Sequence, residues 1–234
     1  MVLAWNWTPK AQAGLGDILK DASEIFTSGE GLSQSDIING LKEALHIGTE
    51  NAVSLTSKVD GYYKNPSIKI PLPESVKKVE RVLRVAGYGE EVDGFVLSMN
   101  RAAERAAPEA KSLFWDSIKQ MTFSDAKKIL NGRENEATLY FKDKTWGRLQ
   151  GIFKPIVHNA MAGVGVTKSY QNLEAKVRSI PFADKISSFD LDQYVTDKAL
   201  DGLFLMLADE EAKIRKDPAA RVTDLLKKVF GKSG

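Results

Sequence analysis

The stretch from Val92 to Met121, VDGFVLSMNRAAERAAPEAKSLFWDSIKQM, carries two faces at helical spacing and constrains the fold more than any other segment. Val92, Phe95, Val96, Met99, Ala103 and Ala106 recur at i, i+3, i+4 and i+7, an apolar stripe that has to be buried. Leu97, Asn100, Arg101 and Glu104 recur at the same interval on another side, so an amide, a guanidinium and a carboxylate stand along one edge. Such a helix needs other helices to pack against and a polar junction for its second stripe. Ala107-Pro108-Glu109 interrupts it: Pro108 lacks an N–H and suits a first turn, so the helix kinks or restarts there.

The same spacing recurs along the chain. Ile18, Ala22, Ile25 and Phe26 mark a short helix from about Asp17, and Ile38, Leu41, Leu45, Gly48, Ala52 and Leu55 form the seam of a longer one. Val76, Val79, Val82, Leu83 and Ala86 give a helix ended by Gly87. Thr122-Phe-Ser-Asp125 has the capping pattern for a helix to Leu130. Leu149, Ile152, Phe153, Ile156, Val157 and Ala160 make another stripe, and Thr167 caps a helix through Tyr170, Leu173 and Val177. From Asp192 to Lys216 a further helix carries Leu203–Ala208, apolar around its whole circumference, and so is read as buried on most sides. Asp217-Pro218 starts a last, basic amphipathic helix through Val222, Leu225, Leu226, Val229 and Phe230, read as docked with a solvated outer face. Between helices, DGYYKNPSIKIPLP (Asp60–Pro73) has three prolines and is an extended strap or short strand. The expected fold is all-α: a single domain of about ten helices over 14–231, built around a buried helix in the C-terminal half, with one short extended Pro-rich segment.

Composition narrows the function classes. Apolar content of 43% and charged content of 27% suit a globular chain. A net charge of +2 argues against a protein organised around nucleic acid. With no Cys, disulfides, thiolate catalysis and Cys-ligated zinc are excluded. No run approaches the ~18 apolar residues of a membrane span. Residues 1–13 read as a leader remnant or a tail, because Ala11-Gln12-Ala13 before Gly14 has the small-x-small form of a signal peptidase site.

The chemistry-bearing residues converge on two helices. Asp197 and Asp201 are i, i+4 neighbours, and Asp201 interrupts an apolar run where an unpaired carboxylate is costly. Arg101 is the expected partner. Two readings follow: an ion-pair junction that locks helix register, or a pocket of Asn100, Arg101, Glu104, Asp197, Lys198 and Asp201 that binds an anionic or polar ligand. Glu43-Ala-Leu-His46 is half of a di-iron motif whose second copy is missing, since Pro155 stands three positions before His158. Asp190, Asp192 and Asp197 lack the glycine-centred loop of a calcium site, and Asp192 reads as a helix cap. Two histidines leave a zincin or hydrolase triad short of parts, so no metal or cofactor is expected.

Asn65-Pro-Ser-Ile-Lys-Ile-Pro-Leu-Pro73, Leu97-Ser-Met-Asn-Arg-Ala-Ala-Glu104, Ile129-Leu-Asn-Gly132, Val195-Thr-Asp-Lys-Ala-Leu-Asp-Gly-Leu-Phe204 and Asp217-Pro-Ala-Ala-Arg221 through Phe230-Gly231 occur in this order. Together they resemble the bacterial family known as domain of unknown function 4197 (DUF4197), over about Gly14 to Gly231. The resemblance implies export, as members carry a signal peptide or lipoprotein signal ahead of a segment like Gly14-Leu-Gly-Asp17; without Cys, a lipid anchor on this chain is not supported. It implies no catalytic residue. The expected function is a non-enzymatic periplasmic protein that binds a small ligand or a protein or envelope partner. The alternatives are an enzyme using Glu104, Asp197 and Asp201 for acid–base or metal chemistry, an envelope-surface binder using the basic last helix, and a cytoplasmic location.

Overall fold

A computed structural model describes residues 34–163 and 190–216. Its helices are α1 (Gln34–Ser57), α2 (Lys77–Val85, entered through a 3-10 turn at Glu74–Val76), α3 (Gly89–Ala106), α4 (Ala110–Lys119), α5 (Phe123–Asn131), α6 (Glu136–Gly163) and α7 (Leu191–Lys216). A 3-10 turn at Ala107–Glu109, with Pro108 in its first positions, joins α3 to α4 in one uninterrupted helical rod. The described residues therefore form six helical bodies and no strand, rather than about ten helices. Three of the expected helices, from Asp17, Thr167 and Asp217, lie outside the described residues.

α7 lies against α1, α3 and α6, and α6 also packs on α3 and α4. The stripe on α3 does what its spacing requires, with Val92, Phe95, Met99, Ala103 and Ala106 all buried. Its alanines let neighbouring helices approach closely, while Phe114, Phe141 and Phe153 fill the volume. Phe114 meets Phe141 at 5.3 Å between ring centroids and Phe204 edge-on at 5.8 Å. Local signals hold as well. Thr122 caps α5, accepting from the Asp125 N–H while the Asp125 carboxylate accepts from the Thr122 N–H.

The run Leu203–Ala208 is not buried on all sides. Leu203, Phe204 and Leu207 are core residues, but Leu205 is 43% exposed. Helical geometry sends Leu205 to the face opposite Leu203 and Leu207, where a bundle only three neighbours deep leaves room for solvent. Thr196 Oγ1, farther up α7, is the one side-chain polar atom among the described residues that is buried without a hydrogen-bond partner. Thr196→Val keeps the shape and removes that orphan, so it is expected to raise stability by about 1 kcal/mol, read as a higher urea midpoint at unchanged slope.

Candidate functional site

Asp60–Pro73 forms the expected strap, built from turns and extended chain and laid over α3 and α7. It begins with a sharp reversal: Asp60 adopts φ 67, a left-handed conformation that Asp tolerates better than most residues. At Gly61 an added Cβ would come within 2.5 Å of the Leu55 carbonyl oxygen, so only glycine fits. The strap buries Tyr62, Ile68, Ile70 and Leu72. At Gly202 of α7 a Cβ would stand 2.7 Å from the Tyr62 ring and 3.0 Å from Ile68 Cβ, which measures how closely the strap is pressed down.

The polar stripe of α3 clamps this strap. Ile70 N–H donates to Asn100 Oδ1 at 2.8 Å, and Asn100 Nδ2 donates back to the Ile70 carbonyl at 2.9 Å. Glu104, buried, accepts the N–H groups of Tyr62 and Tyr63 on Oε1 at 3.1 and 3.2 Å. Its Oε2 takes Arg101 Nη1 at 2.6 Å, and Arg101 Nη2 reaches Asp60 at 2.6 Å. Tyr62 donates to the Ala199 carbonyl of α7 at 2.6 Å. Burial, and then the Glu104 carboxylate, pushes the Tyr62 phenol well up, so it remains a donor.

Arg101 therefore does not pair with Asp201. The strap supplies Asp60 in its place, and Asp201 is exposed, with Lys142 at 3.9 Å. Arg101 and Glu104 pair with each other, and Asn100, a turn earlier on the same stripe, holds Ile70 instead, while Asp197, Lys198 and Asp201 do not join them. Asp197 accepts from the amides of Gln150 and Gln193 at 2.8 and 2.9 Å. Lys198 and Asp201 instead line a separate notch of about 220 Å³ with Lys69, Pro71 and Leu205 of the strap and α7. Among the described residues Glu104, Asp197 and Asp201 share no common partner. Among the described residues no group of three or more His, Asp or Glu side chains is placed to hold a metal ion.

Because Arg101 is 30% exposed, its loss is screened: Arg101→Ala is expected to cost about 1 kcal/mol, not the 3–5 of a broken buried pair. Lys64, and then Arg101, hold the Asp60 carboxyl below the usual carboxylate range. A lowered folded pKa contributes stability above the unfolded pKa that is lost as pH falls through the folded one. Thermal midpoints of the protein and of Asp60→Asn should therefore differ most above about pH 5 and converge in acid.

A larger opening lies between the C-terminal half of α6 and the first turns of α7. It measures about 560 Å³ and is lined by Gln150, Gly151, Lys154, Pro155, His158, Asn159, Asp192 and Gln193. Spacing explains the wall: Gln150, Lys154 and His158 follow at i+4, and Gly151, Pro155 and Asn159 make the adjacent row. Its groups are fixed by one another. His158 Nδ1 meets Asp192 at 2.7 Å; with the carboxylate accepting, Nδ1 carries the proton that bridges them. Lys154 donates to Asp190 at 2.8 Å and to Gln193 Oε1 at 3.1 Å. Asp190, not Asp192, caps α7, accepting from the Gln193 N–H at 2.9 Å. Lys154 first, and that N–H second, hold the Asp190 carboxyl below its ordinary range. Of these residues Pro155, His158, Asp190 and Asp192 stand out in the sequence, but as fragments of metal motifs that lack their other parts, whereas the polar and small-residue rows of α6 are visible there only as the side away from Leu149, Phe153 and Val157.

No helix among the described residues is long and apolar enough to cross a membrane. No curated protein and no solved structure matches the chain. The family model described as "Protein of unknown function (DUF4197)" matches residues 31–231, most of the chain, which therefore belongs to the DUF4197 family.

Proposed function

We propose that the protein is a non-enzymatic binding module, exported to the periplasm, that takes a polar ligand or a segment of a partner in the groove between α6 and α7. The observation that carries this reading is the groove itself, an opening of about 560 Å³ whose amide, imidazole, ammonium and carboxylate groups are held in position by one another. Its size falls in the ordinary range of ligand sites. The strap junction, the other polar cluster, supports a scaffold role, since Asn100 and Glu104 are buried and spend their hydrogen bonds on the chain itself. Export rests on Ala11-Gln12-Ala13 and on the family resemblance.

Gly151 provides the test. A Cβ there would meet nothing within 4 Å, so Gly151→Leu projects into the groove without disturbing its neighbours. Thermal-shift screening of amino acids, short peptides, polyols and sugars against both proteins should give compounds that raise the midpoint of the parent and not of the variant. A screen in which no stabilising compound distinguishes the two rejects the groove. Fractionation that finds the untagged protein in the cytosol rejects export.

A further inference from the structure

We infer that the groove between α6 and α7 takes a neutral saccharide; this rests on the binding role proposed for that groove. The charges of its lining are already matched. Lys154 lies on the Asp190 carboxylate at 2.8 Å, and the Asp192 carboxylate is bridged to His158 at 2.7 Å. An ionic ligand would have to displace one of these partners, whereas a neutral one leaves them in place. An apolar ligand fits no better, because it would cover polar groups whose hydrogen bonds are not all made. The opening of about 560 Å³ has the size that encloses a drug-sized molecule, and so a short saccharide.

The hydrogen bonds left over among the described residues describe the ligand. Lys154 uses two of its three N–H groups, on Asp190 and on Gln193 Oε1. Asp192 gives one carboxylate oxygen to His158 and keeps the other. Gln150 uses an N–H on Asp197 and keeps its carbonyl oxygen. Asn159, exposed in the lining, has no hydrogen-bond partner among the described residues and keeps both ends of its amide. Donors and acceptors are thus mixed throughout the lining. A hydroxyl donates and accepts at once, and a sugar carries hydroxyls on neighbouring carbons, so it meets such a mixture at each position. An extended peptide turns its N–H and C=O toward a given side only at every second residue. In the row beside Gln150 and Lys154, Gly151 and Pro155 present only backbone and hydrocarbon, with Asn159 next along it. The C–H face of a sugar ring can lie on that surface while its hydroxyls reach the polar groups.

The probes are the trisaccharides of N-acetylglucosamine and of glucose, with the glucosamine and galacturonic acid trisaccharides as cationic and anionic counterparts, titrated by calorimetry or NMR. A neutral trisaccharide should bind at least about tenfold more tightly than either charged one. Asn159→Ala should weaken it about fivefold, one neutral hydrogen bond. The same variant should leave the thermal midpoint of the unliganded protein no lower, since the Asn159 side chain holds nothing in the fold. Gly151→Leu should abolish binding. A charged trisaccharide that binds as tightly as the neutral ones overturns the assignment, and so does unchanged affinity in Asn159→Ala. Failure of both neutral trisaccharides, while amino acids or peptides still stabilise the parent and not Gly151→Leu, overturns this inference and leaves the groove a binding site. Failure of every compound rejects the groove itself, and the inference with it.

Discussion

Glu211→Ala is expected to destabilise the protein by about 3–5 kcal/mol, the largest loss from any single charged side chain among the described residues. Glu211 stands on the last turns of α7 but serves the start of α6. Its Oε1 accepts the N–H of Ala137 at 3.0 Å, and its Oε2 accepts the N–H and the hydroxyl of Thr138, both at 2.9 Å. Those N–H groups are among the four that a helix start leaves without internal partners, and the positive end of the helix dipole favours a carboxylate there. Arg215, four residues on and buried as well, donates to Glu211 through Nε and Nη2 and to the Ile129 carbonyl at the end of α5. One buried ion pair thus ties α5, α6 and α7 together. Removing the carboxylate leaves two N–H groups without their acceptor and takes the counter-charge from a buried guanidinium at once. Arg215→Met should cost less, because Glu211 keeps three donors at the start of α6. Urea unfolding of both variants checks the order; a Glu211→Ala midpoint within about 1 kcal/mol of the parent would show that the pair holds nothing together.

How far this architecture was legible depends on whether a residue's partner is set by local spacing. The α3 stripe, the capping box at Thr122 and the change of helix at Pro108 depend on residues within a turn or two, and all are present, the last as a 3-10 turn inside a continuous rod and not as a restart. Arg101 shows the opposite case. Its partner Asp60 lies 41 residues earlier, on a left-handed turn that no hydrophobic period announces. Two acidic residues on a distant apolar helix therefore looked like the better match. Arg215, just before Asp217, reads in the sequence as one more cation of the basic C-terminal region, and so as solvated. The i, i+4 spacing of Glu211 and Arg215 around Ile214 was a usable sign of a paired, inward-facing charge, but the need for it arises only where α6 begins. The groove residues were missed for a related reason. Gln150, Lys154 and His158 form the polar side of an amphipathic helix, which reads as solvated until the first turns of α7 are known to lie beside it.

The second large effect is expected at the strap. Glu104→Ala should cost about 2–4 kcal/mol, because it removes the acceptor of the Tyr62 and Tyr63 N–H groups where Tyr62 is fully buried. The loss should be local as well as global. Asn100 would still hold Ile70, and Tyr62 would still donate to Ala199, so the strap should loosen first at its beginning. Amide hydrogen exchange at Tyr62 and Tyr63 should accelerate far more than exchange in the middle of α7, which opens only with the whole molecule. Glu104→Gln separates the two duties of the side chain. Its carbonyl oxygen can still accept both N–H groups, but its NH₂ faces the Arg101 guanidinium where Oε2 stood, so a loss of about 1 kcal/mol and near-parental exchange at Tyr62 are expected. Equal loss in the two variants would mean that the charge on Arg101, and not the strap backbone, is what Glu104 serves. Parental stability and exchange in Glu104→Ala would mean that Asn100, the Tyr62 hydroxyl and the packing of Tyr62, Ile68 and Ile70 hold the strap without Glu104. Glu104 and Arg101 would then have no structural duty, while Asn100 would keep its hold on Ile70.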